Sequence, residues 1–421
     1  MAVVGLTVIL VLAVPARVAL GLFAPLALWR SARPRGPAAT STVAALVLAG
    51  LVWAGLAGTS DPAHNVLPVF VWTLFWVLLV VVQGLFGDVW RWLNPWTGPL
   101  ALARRAGLRP LARLPAGLGH WPALAFFLVF SAFHLVHPTP SDPQLLARAV
   151  AAWWGLHFAL ALVFGPRWLR RGEALTALLG AYAGLGLFGT ARGRRRAGFF
   201  GWQAVAARRA PDAGLAVLMI AALAAGSFDG LYETFFWLSL TGVNPLEFPG
   251  RSAVWAANLG GLLGSVLALS AVYALCLAAG LRLAGAGGRF GEAFRAFAPA
   301  LMPIALAYHV AHYLPAFLVE VQAVPIVLND PLGAGVDLLG LGHMNVTTGF
   351  FNRLDSVRRI WLTQAGAVVL GHVVAVLLAH ALALRLFGDD RRATRAGAPL
   401  ALFMVGYTQF GLWLLASPRG I

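Results

Sequence analysis

In AYHVAHYLPAFLVE, residues 307–320, two histidines, two tyrosines and a glutamate stand inside an otherwise apolar run. A charge at the centre of a lipid-buried helix costs about 2.5–3.5 kcal/mol or more, so such groups are kept where they pair, hydrate or react. His309 and His312 are i, i+3 neighbours on one helix face, and so are His134 and His137 in AFHLVHP (132–138). Asp229 and Glu233 in SFDGLYET (227–234) are spaced i, i+4, and His372 adds a further imidazole in GHVVAVLLAH (371–380).

Neutral imidazoles with one or two carboxylates suit a divalent transition metal: zinc, iron, nickel or copper. Such a metal with an open position can convert bound water to hydroxide near neutral pH. The candidate ligands are His134, His137, Asp229, His309, His312 and His372, and a desolvated Glu233 is the candidate general base. The same residues also suit a proton or ion path through a transporter, a haem held between His312 and His372, or a structural network bonded to Tyr232, Tyr308 or Tyr313.

The elements that must position them are helices in a membrane. The chain has 421 residues, 60% of them hydrophobic and only 11% charged, against about a quarter charged in soluble domains. Within hydrocarbon every backbone amide needs a partner in its own segment, so long apolar runs predict an all-α, polytopic transmembrane bundle. Ten spans are expected, at 2–29, 42–58, 65–86, 120–137, 145–165, 213–240, 252–280, 298–322, 360–387 and 399–416. The run at 174–190 is flanked by basic loops on both sides and reads as a re-entrant or interfacial helix. One integral membrane domain covers residues 1–421, with an apolar outer loop at 323–359 expected to fold back as a lid.

The formal charge of +16 comes from arginine alone, because the chain contains no lysine. The arginines cluster in short loops, as in RRAGLRPLAR (104–113), RWLRR (167–171), RGRRR (192–196) and RRATR (391–395). That is the positive-inside pattern and not a nucleic-acid footprint. It predicts a multi-pass protein of the cytoplasmic (inner) membrane with both termini extracytoplasmic, whose partners are the lipid bilayer and a lipophilic small molecule. The single Cys276 allows no internal disulfide and no thiolate cluster. No Walker loop, GxSxG elbow or dinucleotide fingerprint occurs.

Measured from each helix's arginine-rich end, at 1.5 Å per residue, His134, His312, His372 and Asp229 fall at one depth of about 20–24 Å. His137 and Glu233 fall above that layer and His309 below it. AFHLVHP aligns with AYHVAHY (307–313) in both histidines, and HFALALVFGPRWLRR from His157 resembles HALALRLFGDDRR from His380. These matches suggest a parallel repeat of four helices, 42–165 and 213–388. His157 and His380 lie lower and read as packing residues, while His64, His120 and His343 fall near span ends or in loops. Gly260 and Gly264 form a GxxxG expected to admit close helix packing.

Several segments together, GDVWRWLNPW (87–96), SFDGLYET, AYHVAHY, NDPLG (329–333), GHVVAVLLAH and MVGYTQFGLW (404–413), resemble a family of bacterial polytopic membrane proteins labelled fenitrothion hydrolase. The resemblance runs over most of the chain from about residue 60. It implies cleavage of an aryl phosphotriester of the organophosphorus type by a membrane-bound enzyme, and it carries over no catalytic residues.

Overall fold

The structure is a computed structural model that describes residues 15–30, 37–191, 193–247, 250–342 and 344–419. His343, Arg192, residues 2–14 of the expected first span and most of the basic stretch 30–35 lie outside the described residues. Among the described residues eight helices are long and apolar enough to cross a membrane, and the chain is a multi-pass membrane protein. They are α1 (Pro37–Ala57), α2 (Val66–Phe86), α4 (Pro143–Phe164), α6 (Ala213–Leu231), α7 (Arg251–Leu283), α8 (the Met302–Glu320 part of a span beginning at Gly287), α9 (Leu354–Phe387) and α10 (Asp390–Ala416). Two shorter apolar helices complete the bundle, α3 (Trp121–Leu135) and α5 (Ala174–Ala183). Large apolar side chains such as Val43, Leu46, Leu267, Leu275, Leu370 and Leu402 point outward from the spans, as lipid-facing positions must.

Several expectations need correction. The described part of the expected first span is not one helix: Ala16–Leu22 is helical, and Leu26–Arg30 then forms strand β1. β1 pairs antiparallel with β3 (Arg194–Ala197), which pairs antiparallel with β2 (Phe188–Ala191), giving the order β1-β3-β2. The fold is therefore mostly helical and not all-α. The sheet is possible because it is built from arginine-rich backbone at the end of the bundle, where its edges need not face hydrocarbon. The 120–137 run is helical only to Leu135, and the 213–240 run breaks at Tyr232 into α6 and a short helix, Phe235–Leu240.

Two elements do most to position the buried polar residues. α6 is the most enclosed of the spans, and Asp212 caps its N-terminus by accepting from Leu215 N–H at 2.9 Å. α2 is π-helical from Val69 to Leu79, a rare geometry that turns Trp72, Thr73 and Trp76 toward neighbouring helices. Thr73 donates to Glu320 at 2.8 Å, and Trp76 Nε1 donates to Tyr313 at 3.0 Å, so the π-helical segment is pinned to α8.

Close packing sets the remaining geometry. A side chain at Gly371 of α9 would collide with Ala307 and with the Pro303 carbonyl of α8. One at Gly280 of α7 would collide with the Ala396 carbonyl of α10. Gly260 and Gly264, by contrast, face open space, and it is Gly261 that receives Phe228 and Trp237. Among its described residues, the loop 323–359 has none that lines the space around His134, His309 and His312. Its helix Ala323–Asn329 packs with Leu51, Leu67 and Leu146 in a separate apolar cluster.

Candidate functional site

Tyr313 is the centre of the buried polar rings. Its phenol donates to Asp229 Oδ2, accepts from Trp76 Nε1–H, and lies 3.0 Å from His134 Nε2. Asp229 Oδ2 also stands 3.3 Å from His312 Nε2. Four residues from three helices, α3, α6 and α8, thus form one chain: His134, Tyr313, Asp229, His312. The Asp229 and His312 side chains are 9% and 7% exposed, so bulk water does not screen this pair.

Valence fixes which atoms carry protons. A phenol has one proton to give and two lone pairs to receive. With Asp229 ionised, Tyr313 donates to it and accepts from Trp76 and from an Nε2–H on His134. With Asp229 protonated, the carboxyl donates to the phenol, which in turn donates to a bare His134 Nε2. The heavy-atom frame is the same in both states. A proton can therefore leave protonated His134 and arrive on Asp229 through the Tyr313 hydroxyl, breaking one N–H and one O–H bond and forming two O–H bonds.

These groups surround a small chamber of about 30 Å³, lined by Trp76, His134, Asp229, Tyr308, His309, His312 and Tyr313 among mostly apolar neighbours. A water needs about 10–15 Å³ of such space, so the chamber holds a water or two. His134 Nδ1, His309 Nε2, His312 Nδ1 and Tyr308 Oη are buried without a protein partner, leaving bonding capacity for such waters. His309 meets the edge of Trp76 at 5.5 Å between ring centres, and Tyr308 stacks on His312 at 5.8 Å. Only the lack of a side chain at Gly230 lets the Tyr308 hydroxyl reach α6, since a Cβ there would overlap it.

Of the candidate ligands, the structure brings His134, Asp229, His309 and His312 to the chamber and leaves His137 and His372 away from it, as it does the candidate base Glu233. His137 follows the end of α3, so helical spacing no longer applies, and its Nδ1 accepts from Thr139 N–H at 3.1 Å. Glu233 follows the end of α6, where it accepts from Tyr232 Oη at 2.9 Å and pairs with Arg419 at 3.2 Å. His372 is buried on α9 with its Nδ1 2.8 Å from the Val368 carbonyl of its own helix. His157 accepts from Trp168 Nε1 at 3.1 Å among aromatic rings, a packing role.

Among the described residues no three His, Cys, Asp or Glu side chains stand together as a cation's ligand set would require. The physical reason is that the Tyr313 phenol occupies the space between His134 and Asp229. Trp76 is absent from the sequence reading, which names Tyr308 and Tyr313 only as bonding partners in a structural network. Tyr313 beside His312 was the available signal, since a buried imidazole needs a partner.

A second cavity lies at the arginine-rich end of the bundle. It measures about 830 Å³, and its lining includes Arg91, Arg104, Arg170 and Arg209 with Asn94 and Thr176. α5 is the wall between the two cavities: Thr176 and Gly180 face the large one, Leu178 and Tyr182 the small one. α6 and α8 run along both. Met219 and Met302 line the large cavity, and Ala222 and Ala305, about 4.5 Å further along each helix, line the chamber. Comparison with family models, curated proteins and solved structures finds no match to this chain.

Proposed function

We propose that the chain is a proton-coupled permease of the membrane, in which a solute enters the large arginine-side vestibule and the small chamber beyond it exchanges a proton during each transport cycle. The observation that carries this reading is the alignment of the two cavities along α6 and α8, one turn apart, with a hydrogen-bonded His–Tyr–Asp–His chain in the inner one. α5 would be the barrier that must shift, since it stands between vestibule and chamber. The arginine-rich end would face the cytoplasm, following the positive-inside rule.

Phosphotriester hydrolysis, which the family resemblance implies, is less well supported. Glu233 is held by Tyr232 and Arg419, and a chamber sized for a water or two has no room for an aryl phosphotriester. The two readings separate in one experiment. Sealed proteoliposomes with an imposed pH gradient should accumulate an organic solute from a panel of small anions. Asp229→Asn should abolish gradient-driven accumulation and leave solute exchange between the two faces intact. Asp229-dependent release of nitrophenol from a model phosphotriester in detergent, where no sealed compartment exists, would replace the permease by a hydrolase.

A further inference from the structure

We infer that the vestibule is a binding site for an amphiphilic phosphate, with a phosphoester head held by arginines and an apolar body laid along the wall. Four arginines line the cavity against the single carboxylate of Asp88. Among the described residues none of Arg91, Arg104, Arg170 or Arg209 forms an ion pair with an acidic side chain. Asp88 is occupied, since its Oδ1 accepts from Gln83 Nε2 at 3.3 Å and from Arg91 N–H at 3.2 Å. Asp212, beyond the cavity lining, is taken by His120 at 2.6 Å and by the α6 cap. The local charge is therefore left uncompensated by the protein itself.

Arg91 is the anchor. Its guanidinium lies over the Trp92 ring at 5.0 Å, and its Nε is buried with no hydrogen-bond partner. A buried guanidinium N–H without an acceptor is costly, and a phosphate oxygen is the acceptor that a planar fork of donors recognises best. Burial and the neighbouring Arg195 both push Arg91 below its usual guanidinium value, with Asp88 opposing. An anion would relieve both effects.

Beside a few polar groups such as Asn94, Thr97, His120 and Gln203, much of the remaining lining is apolar, with Leu100, Leu169, Leu185, Leu215, Met219 and Met302. α5 opens toward it with a small stripe, because Thr176 and Gly180 are its two residues that are not buried, one turn apart. A side chain at Gly180 would meet nothing within 4 Å, so the space beside it is free to receive a ligand. The head chemistry is shared by membrane phospholipids and by soluble organic phosphates. As a substrate class this rests on the permease reading; as a binding site it does not.

The test uses the full chain in phosphatidylcholine nanodiscs, titrated calorimetrically with 1-naphthyl phosphate and with inorganic phosphate. The expected result is one saturable site for 1-naphthyl phosphate, with inorganic phosphate at least about tenfold weaker. Arg91→Gln should weaken binding about tenfold or more, as loss of a charge-assisted bond does. Gly180→Leu should remove it by filling the cavity, and Arg209→Gln at the exposed rim should weaken it more mildly. Competition by phosphatidylglycerol in the disc identifies a lipid head as the occupant; saturable binding without competition identifies a soluble phosphate. Equal binding by wild type, Arg91→Gln and Gly180→Leu, or by the two phosphates, overturns the inference. Asp229→Asn should bind normally, so failure here with Asp229-dependent transport intact would remove the ligand assignment alone.

Discussion

Tyr313→Phe removes one oxygen that joins three partners, Trp76, His134 and Asp229. Side-chain hydrogen bonds between helices in a membrane protein average about 0.6 kcal/mol and reach about 1.7 kcal/mol at most. Two ordinary bonds and one to a carboxylate, at the upper end of that range, come to about 3 kcal/mol. Tyr308 supplies the internal control. It is the same residue type on the same helix and is buried, but its hydroxyl has no protein partner. Tyr308→Phe deletes an unsatisfied group and should cost less than about 0.5 kcal/mol, or stabilise slightly. SDS-driven unfolding of wild type and both variants in bicelles measures the difference directly. Equal costs for the two variants, or a Tyr308→Phe penalty larger than that of Tyr313→Phe, would refute the placement of the phenol at the centre of the network.

Gly371→Ala should destabilise by about 1–3 kcal/mol in the same assay, because its Cβ meets Ala307 and a carbonyl of α8. Gly366→Ala, on the same helix and facing open space, should be neutral or stabilising by up to about 1 kcal/mol. Glu173 is fully buried and accepts from Trp153 Nε1, Leu175 N–H and Thr176 N–H, which caps α5. Glu173→Ala should cost about 1–2 kcal/mol and increase hydrogen exchange across 174–183, the wall between the cavities.

Helix depth was legible from residue order only where the true end of the span was, and direction around a helix was not. Asp229, His134 and His312 share a height and do meet, and His309 joins them from one turn below on the same face. His372 does not share that height: its neighbour Gly371 packs on Pro303 and Ala307, nearer the arginine-rich end than His312, because the span leading into α8 begins at Gly287 and not at 298, and the imidazole bonds its own backbone. Spacing rules held within AYHVAHY, which α8 carries through unbroken. They failed in AFHLVHP and SFDGLYET, where α3 and α6 stop before the second ligand. Pro138, one residue past His137, was the sequence signal for the first failure, since the residue before proline leaves helical conformation. Nothing in RRRA marks a strand, as its residues do not alternate in polarity, and it pairs with a segment near the start of the chain on one side and across the adjoining turn on the other. The π-helical stretch of α2 is likewise invisible in an apolar run.

Proton coupling requires that Asp229 change protonation inside the network that Tyr313 organises. Infrared difference spectroscopy of the lipid-reconstituted protein between acidic and neutral pH reads this directly. The expected spectrum has a carboxylic C=O band that emerges on acidification, vanishes in Asp229→Asn and changes frequency in Tyr313→Phe as the phenol partner is lost. A spectrum in which Asp229→Asn is indistinguishable from wild type would contradict it, leaving a carboxyl of fixed charge that serves only to hold three helices together.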